Sequence, residues 1–332
     1  VERSAGRPLL AADVGGTHVR IGLVRPGDDP ARPLEVLAYQ VQACADYPGL
    51  GEAIEAFLSG VGEHGVDAGV VASAGYQLED GRLISANLPW PVDFARLRDR
   101  LGLRDLRLVN DFQALAHAVP WFEASQVLQL CGPVQAAAPG PVLALGPGTG
   151  FGCAVWIPAA AGAVVLATEA GQAALAAGTE LEIAVLRELL RTRDHVAIEH
   201  LLSGPGLLNL YLTLCTLHGA APAYADPREV TDAALSGGDP RAHEALSVFC
   251  ALLGSTAADL ALACGAQRGV YLAGGILPGI GGFLAQSRFA ARFVGKGLMR
   301  EALERIPVRL VEHGRLGVLG AAAWYMAQPA DS

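Results

Sequence analysis

Residues 9–24 read LLAADVGGTHVRIGLV, and their pattern decides the fold. Leu9–Val14 and Val19–Val24 are apolar runs of strand length on either side of Gly15, Gly16 and Thr17. Such runs bounded by glycine make two strands joined by a tight turn. Residues 142–156, VLALGPGTGFGCAVW, repeat the layout: apolar strand, glycine-rich turn with a threonine, apolar strand. After the first hairpin the sequence predicts a strand at Leu34–Gln42 and a helix at Tyr47–Val61, where Leu50, Ile54, Phe57, Leu58 and Val61 keep helical spacing. Strands at Ala68–Ala74 and Leu106–Val109 follow, with a short charged helix Phe94–Leu101 between them. After the second hairpin it predicts a strand in AVVLATEAG (163–171) and helices from Gly178 to Gly265, with a long one at Pro240–Cys264. Strands in RGVYLAGG (268–275) and IPVRLVEH (306–313) and a terminal helix Val318–Met326 complete the second half. Two similar hairpin-led α/β halves form a clamshell, with the ligand expected in the cleft where strand ends and glycine turns converge.

The composition bounds what such a clamshell can hold. A chain of 332 residues suits two domains, and 52% hydrophobic against 17% charged residues supplies a large core and excludes disorder for the bulk of it. The net charge of −9 lacks the electrostatic footprint of a nucleic-acid binder. Lys296 is the only lysine, so a polyanion would be held by backbone N–H groups, helix N-termini and a metal. Cys44, Cys131, Cys153, Cys215, Cys250 and Cys264 show no CxxC spacing and have apolar neighbours, which predicts buried free thiols in a reducing compartment. The opening VERSAGRP has no apolar signal-peptide core. Residues 124–168 carry no charge, but five prolines and several glycines break them into strand-length pieces, too short for a membrane helix. A cytoplasmic protein without nucleic-acid or membrane partners is expected.

Six places could carry chemistry. In Asp13-Val14-Gly15-Gly16-Thr17 the glycines let backbone N–H groups approach an anion, Thr17 adds a hydroxyl, and Asp13 can hold hydrated Mg²⁺ beside a phosphate. Gly148-Thr149-Gly150 has the same character. Both also suit an ordinary hairpin turn. Asn110-Asp111 ends a strand and precedes an amphipathic helix; this is standard N-cap chemistry, yet a carboxylate there could take a proton from a hydroxyl. Glu169 and Gln172, after a strand, suit bidentate hydrogen bonding to sugar hydroxyls. Glu199 does too, although it equally fits an exposed helix position. Gly274-Gly275 would let an adenine or ribose lie against the backbone, or simply make a helix-entry turn.

Taken in order, DVGGT, LVNDF, LGPGTGFG, EAGQ, IEHLLSGPGLLNLY and VYLAGGI resemble the bacterial glucokinase family, within the hexokinase, Hsp70 and actin superfamily. The resemblance runs from about Leu9 to the terminal helix. ROK-type sugar kinases match less well, because their cysteine-rich zinc motif is absent. The resemblance implies an α/β, two-lobed, actin-like (ribonuclease H-like) ATPase fold with an interdomain cleft. Its small domain would span residues 1–121, completed by the helix 314–332, and its large domain 122–313. It further implies a first phosphate loop at Ala12, Asp13, Val14, Gly15, Gly16 and Thr17, a second at Gly148, Thr149 and Gly150, and an adenosine segment at Gly274 and Gly275. Asp111 would be the catalytic base, and Asn87, Asn110, Glu169, Gln172 and Glu199 would bind sugar with it.

The reaction implied is phosphorylation of glucose at its 6-hydroxyl by ATP with Mg²⁺, and a homodimer is expected. Two departures touch the sugar side. Gln172 stands where the family usually has histidine. The stretch ASAGYQLEDGRLISANLPW (72–90) keeps Asn87 and Trp90 but lacks the Cys-Pro pair expected near Ser73-Ala74. A kinase of another hexose, or a sugar-binding sensor without turnover, are the alternatives. The retained Asp13, Asp111 and both Gly-Thr turns argue against the sensor, and no helix-turn-helix or basic arm precedes residue 9.

Overall fold

A computed structural model of the chain describes residues 7–29, 32–62, 65–77, 82–84, 90–119, 127–160, 162–311 and 315–328. The chain divides into two compact units, Val1–Phe122 with His313–Ser332, and Glu123–Glu312.

The first unit opens with strands β1 (Leu9–Val14), β2 (His18–Asp29) and β3 (Arg32–Ala43), followed by helix α1 (Leu50–Val61) and strand β4 (Ala68–Ser73). Short strands β5 (Tyr76–Gln77), β6 (Arg82–Ile84) and β7 (Val92–Asp93) form a small antiparallel sheet. Helix α2 (Phe94–Arg100), strand β8 (Asp105–Val109) and helix α3 (Asp111–Ala118) follow. The main sheet runs β3-β2-β1-β4-β8, antiparallel through the hairpins and parallel from β1 to β4 to β8.

Strand alternation sorts β1 between two cores. Leu10, Ala12 and Val14 pack with Ile54 and Phe57 of α1 and Leu97 of α2. Leu9 and Ala11 pack with Ala114 of α3 and with Val318 and Ala321 near the chain's end. The predicted helix at Tyr47–Val61 starts three residues late. Gly49 is its extended N-cap, and a separate 3₁₀ turn occupies Cys44–Asp46.

The second unit repeats this plan. Strands β9 (Val127–Cys131), β10 (Val142–Pro147), β11 (Phe151–Ala159) and β12 (Gly162–Thr168) precede helices α4 (Glu180–Leu189), α5 (Gly204–Leu217), α6 (Pro227–Ser236) and α7 (Pro240–Cys264). Strand β13 (Gly269–Leu272), helices α8 (Leu277–Gln286), α9 (Phe289–Val294) and α10 (Arg300–Leu303), and strand β14 (Val308–Val311) follow. The sheet order β12-β11-β10-β13-β14 reproduces β3-β2-β1-β4-β8, with β9 added at the far edge. Its pairings also match: antiparallel through the hairpin, parallel from β10 to β13 to β14. Helix α7 is long and apolar enough to cross a membrane, but it is a core helix, with 72% of its most apolar window buried.

A buried ion pair fastens the start of α4 to α9. Arg292 Nη1 lies 2.6 Å from Glu182 Oε1, and Glu182 Oε2 also accepts the Gly178 N–H at 2.6 Å. The last helix, α11 (Leu316–Ala327), returns to the first unit and crosses α3. There Gly320 is indispensable, since a methyl at that position would run into the Ala114 carbonyl.

Candidate active site

In the first unit the parallel strands end together. Val14 pairs with Ser73, and Ala72 with Val109, so the Gly15–Thr17 turn and Asn110-Asp111 lie along one carboxyl edge of the sheet. The turn is held from behind. Gly15 N–H donates to His18 O at 3.0 Å, Cys44 N–H to Thr17 O at 2.9 Å, and the Cys44 thiol to Gly15 O at 3.4 Å. Among the described residues the N–H groups of Gly16 and Thr17 have no backbone partner, which leaves them as the turn's donors. Ala12 and Val14 send their side chains into the core and can meet a ligand only through backbone.

Alternation puts Asp13 on the face where α11 begins, tight against Gly317. Its cross-strand partner is Arg20, whose Nη1 lies 3.6 Å from Asp13 Oδ2. Arg20 belongs to none of the sequence motifs; only the register across the hairpin brings it to Asp13.

Asn110 caps α3, its Oδ1 accepting the N–H groups of Phe112 at 3.0 Å and Gln113 at 3.1 Å. Asp111 is the first helical residue, and its Oδ1 accepts the Phe112 N–H at 2.9 Å. The cap and the carboxylate are therefore different residues, and the helix start fixes the orientation of the Asp111 carboxyl. Asn87 lies outside the described residues.

In the second unit several predicted residues meet. The Gly148–Gly150 turn closes on itself through Gly148 N–H to Gly150 O at 2.8 Å. Gly148 O accepts the Gly204 N–H at the start of α5, also at 2.8 Å. Thr149 is exposed at the apex. Gly274 lies beside this turn at φ 130°, where a methyl would strike the Pro147 carbonyl. Gly146, at φ 159°, meets Ala273 in the same way. Gly275 has open space around its α-carbon.

Glu199 sits in a 3₁₀ turn, Ile198–His200, rather than on an exposed helix. Its Oε1 accepts from Gln172 Nε2 at 2.7 Å and its Oε2 from the Phe151 N–H at 3.4 Å, directly after the glycine turn. Glu169 precedes the 3₁₀ turn Ala170–Gln172 and is exposed, its carbonyl accepting the Gln172 N–H at 3.0 Å. Two neighbours are not among the sequence-predicted site residues. Ser203 caps α5 and donates its hydroxyl to Glu199 O at 2.7 Å, and His195 Nε2 lies 2.9 Å from Gln172 O.

The electrostatics agree with the composition. The single lysine, Lys296, is engaged structurally, 2.7 Å from Asp259 Oδ1 and 2.8 Å from Ser255 Oγ. His200 is held below its ordinary pKa, first by burial and then by Arg193, and its Nδ1 accepts the Ala197 N–H at 3.1 Å. Burial alone pushes the Cys131 thiol up to about 11, and burial above all does the same for Cys153 and takes Cys250 to about 12, so these are protonated packing groups. Among the described residues no three His, Cys, Asp or Glu side chains are grouped to hold a metal. A lone carboxylate at the first turn fits Mg²⁺, which keeps several waters and is held largely by substrate phosphates.

The glucokinase family model matches residues 10–328. A glucokinase-like protein of Xylella fastidiosa (strain 9a5c) is 50% identical over 322 residues, covering 97% of this chain and 96% of the relative. The glucokinase of Paramagnetospirillum magneticum (strain ATCC 700264 / AMB-1) is 38% identical, covering 95% and 96%. The crystal structure of a glucokinase from an Antarctic psychrotroph superimposes with a TM-score of 0.82 at 33% identity, covering 97% of this chain and 99% of that one.

Proposed function

Since the chain belongs to the glucokinase family of sugar kinases and has its two-lobed actin-like ATPase fold, we propose that it transfers the γ-phosphoryl group of ATP to the 6-hydroxyl of glucose. The observation that most supports this is the pairing of Gln172 with Glu199 immediately behind the second glycine turn. In this reading the hydroxyl-binding groups and a phosphate-binding turn share one hydrogen-bonded piece of structure.

In this reading Asp111 accepts the proton of the attacking hydroxyl, worth typically ~10²–10⁴-fold in rate. Its carboxyl is already oriented by the Phe112 N–H. Glu169, Gln172, Glu199 and the side-chain NH₂ of Asn110 hold the sugar. The Gly16 and Thr17 N–H groups and the Gly148–Gly150 turn offer donors to phosphoryl oxygens, where charge stabilisation is the main term in phosphoryl transfer. Gly274 and Gly275 leave room for adenosine. Asp13 would hold Mg²⁺ through water, and the ion would neutralise phosphate charge.

The test is a coupled ADP-release assay over a panel of hexoses. Glucose-stimulated ADP release is expected, and its absence from folded protein would favour a sugar-binding sensor. A clearly better substrate than glucose would leave the kinase reading and change the sugar.

A further inference from the structure

Gln172 and Glu199 are 27 positions apart, and their meeting depends on how two loops are joined. Residues 172–175 and 195–198 run antiparallel. Leu175 N–H donates to Val196 O at 3.0 Å, Ile198 N–H donates to Ala173 O at 2.9 Å, and Ala174 and Ala197 form a bridge. Almost any residues could make these main-chain links. A further link between the two segments is different, because it needs a side chain: His195, at the far end of its segment in this register, reaches Gln172 O with Nε2 at 2.9 Å. A carbonyl only accepts, so the ring must donate, and Nε2 carries the proton.

We propose that His195 is a positioning residue for the sugar-binding pair, an inference that rests on the sugar-kinase reading above. Gln172 closes the 3₁₀ turn through its own N–H to Glu169 O at 3.0 Å, which secures one side of the residue. On the other side the Ala173 N–H donates to Ala170 O at 3.1 Å, and His195 adds the hold on the Gln172 carbonyl itself. With both flanking peptide planes fixed, the Gln172 backbone is set, and its side chain is aimed at Glu199 Oε1, 2.7 Å away. Glutamine needs this help, because its long stem loses more rotamer freedom on ordering than a shorter, stiffer side chain. The chain of influence is His195 to the Gln172 backbone, Gln172 amide to Glu199 carboxylate, and Glu199 to sugar.

The test compares wild type, His195→Ala and His195→Gln by calorimetric titration with glucose, steady-state kinetics and thermal unfolding. His195→Ala should weaken glucose binding and raise KM for glucose by about 2–10-fold, the scale of one neutral hydrogen bond. The KM for ATP–Mg²⁺ and the unfolding midpoint should stay near wild type. His195→Gln carries an amide donor of similar reach and should restore glucose binding to within roughly twofold. An alanine variant that binds glucose as tightly as wild type would overturn the proposal. So would equal losses for glucose and nucleotide, or a glutamine variant as impaired as alanine. Wild-type protein that binds no hexose would bring down the sugar-kinase reading and this inference with it, whereas tight wild-type binding with an unaffected alanine variant removes this inference alone.

Discussion

Asn110 and Asp111 divide two duties that the sequence left tangled. Asn110 Oδ1 takes the Phe112 and Gln113 N–H groups and is the helix cap. Asp111 lies one residue inside, so its carboxylate is not needed to start the helix. Asp111→Asn should therefore keep folding and glucose binding, measured by calorimetry, while turnover falls ~10²–10⁴-fold with loss of the base. Turnover within a few-fold of wild type would leave Asp111 only a first-turn residue. Gln172 is the second informative position. One of its two side-chain N–H donors is spent on Glu199, which leaves the second donor and the acceptor oxygen for a hydroxyl. A histidine would present its groups on a rigid ring with less entropy to lose. Gln172→His should tighten glucose binding by roughly 2–10-fold, with ATP binding unchanged. Abolished binding would mark Gln172 as tuned to a different sugar.

Hairpins and parallel strands carried most of what could be foreseen among the elements. Strands β1, β4, β10 and β13 are short, apolar and punctuated by glycine, proline or polar residues, and β8 alternates leucine with charged residues, each a local signal. Strand β9 was missed because Val127–Cys131 becomes a strand only by pairing with β14, far away in sequence. The same limit applied to the site. Its turns and carboxylates were visible as separate motifs, but the 3₁₀ turns that join Gln172 to Glu199 leave no periodic trace. The glycines also differ in kind. Gly274 and Gly146 adopt positive φ and lie against carbonyls, whereas Gly148 has no positive φ and open space around its α-carbon. Gly274→Ala should lose about 2 kcal/mol or more of unfolding free energy in urea titration. Gly148→Val should unfold within about 0.5 kcal/mol of wild type. It should nevertheless bind ATP–Mg²⁺ roughly tenfold more weakly, because the side chain obstructs the backbone's approach to phosphate. Equal losses of ATP and glucose binding in that variant would remove the turn from the phosphate site.

The molecule as a whole repeats one sheet topology in two units, each with a glycine turn and carboxylates. Its acid response should include a contribution from a residue outside the chemistry. Burial pushes His117, in α3, down to about 4. The unfolded chain, with an ordinary histidine near 6.5, takes up the proton first as pH falls. Stability is therefore lost between about pH 6.5 and 4 and is unaffected by this group above that window. Urea midpoints measured across this range should fall more steeply for wild type than for His117→Gln; parallel curves would show that His117 is not the source. The central claim, that this chain moves phosphate from ATP to the sugar's 6-oxygen, is tested most directly by following ATP, Mg²⁺ and ¹³C-labelled glucose with phosphorus and carbon NMR. One phosphomonoester is expected, formed in step with ADP, with phosphorus coupling at carbon 6. Inorganic phosphate released without a sugar ester, or a phosphate on any other carbon, would contradict it.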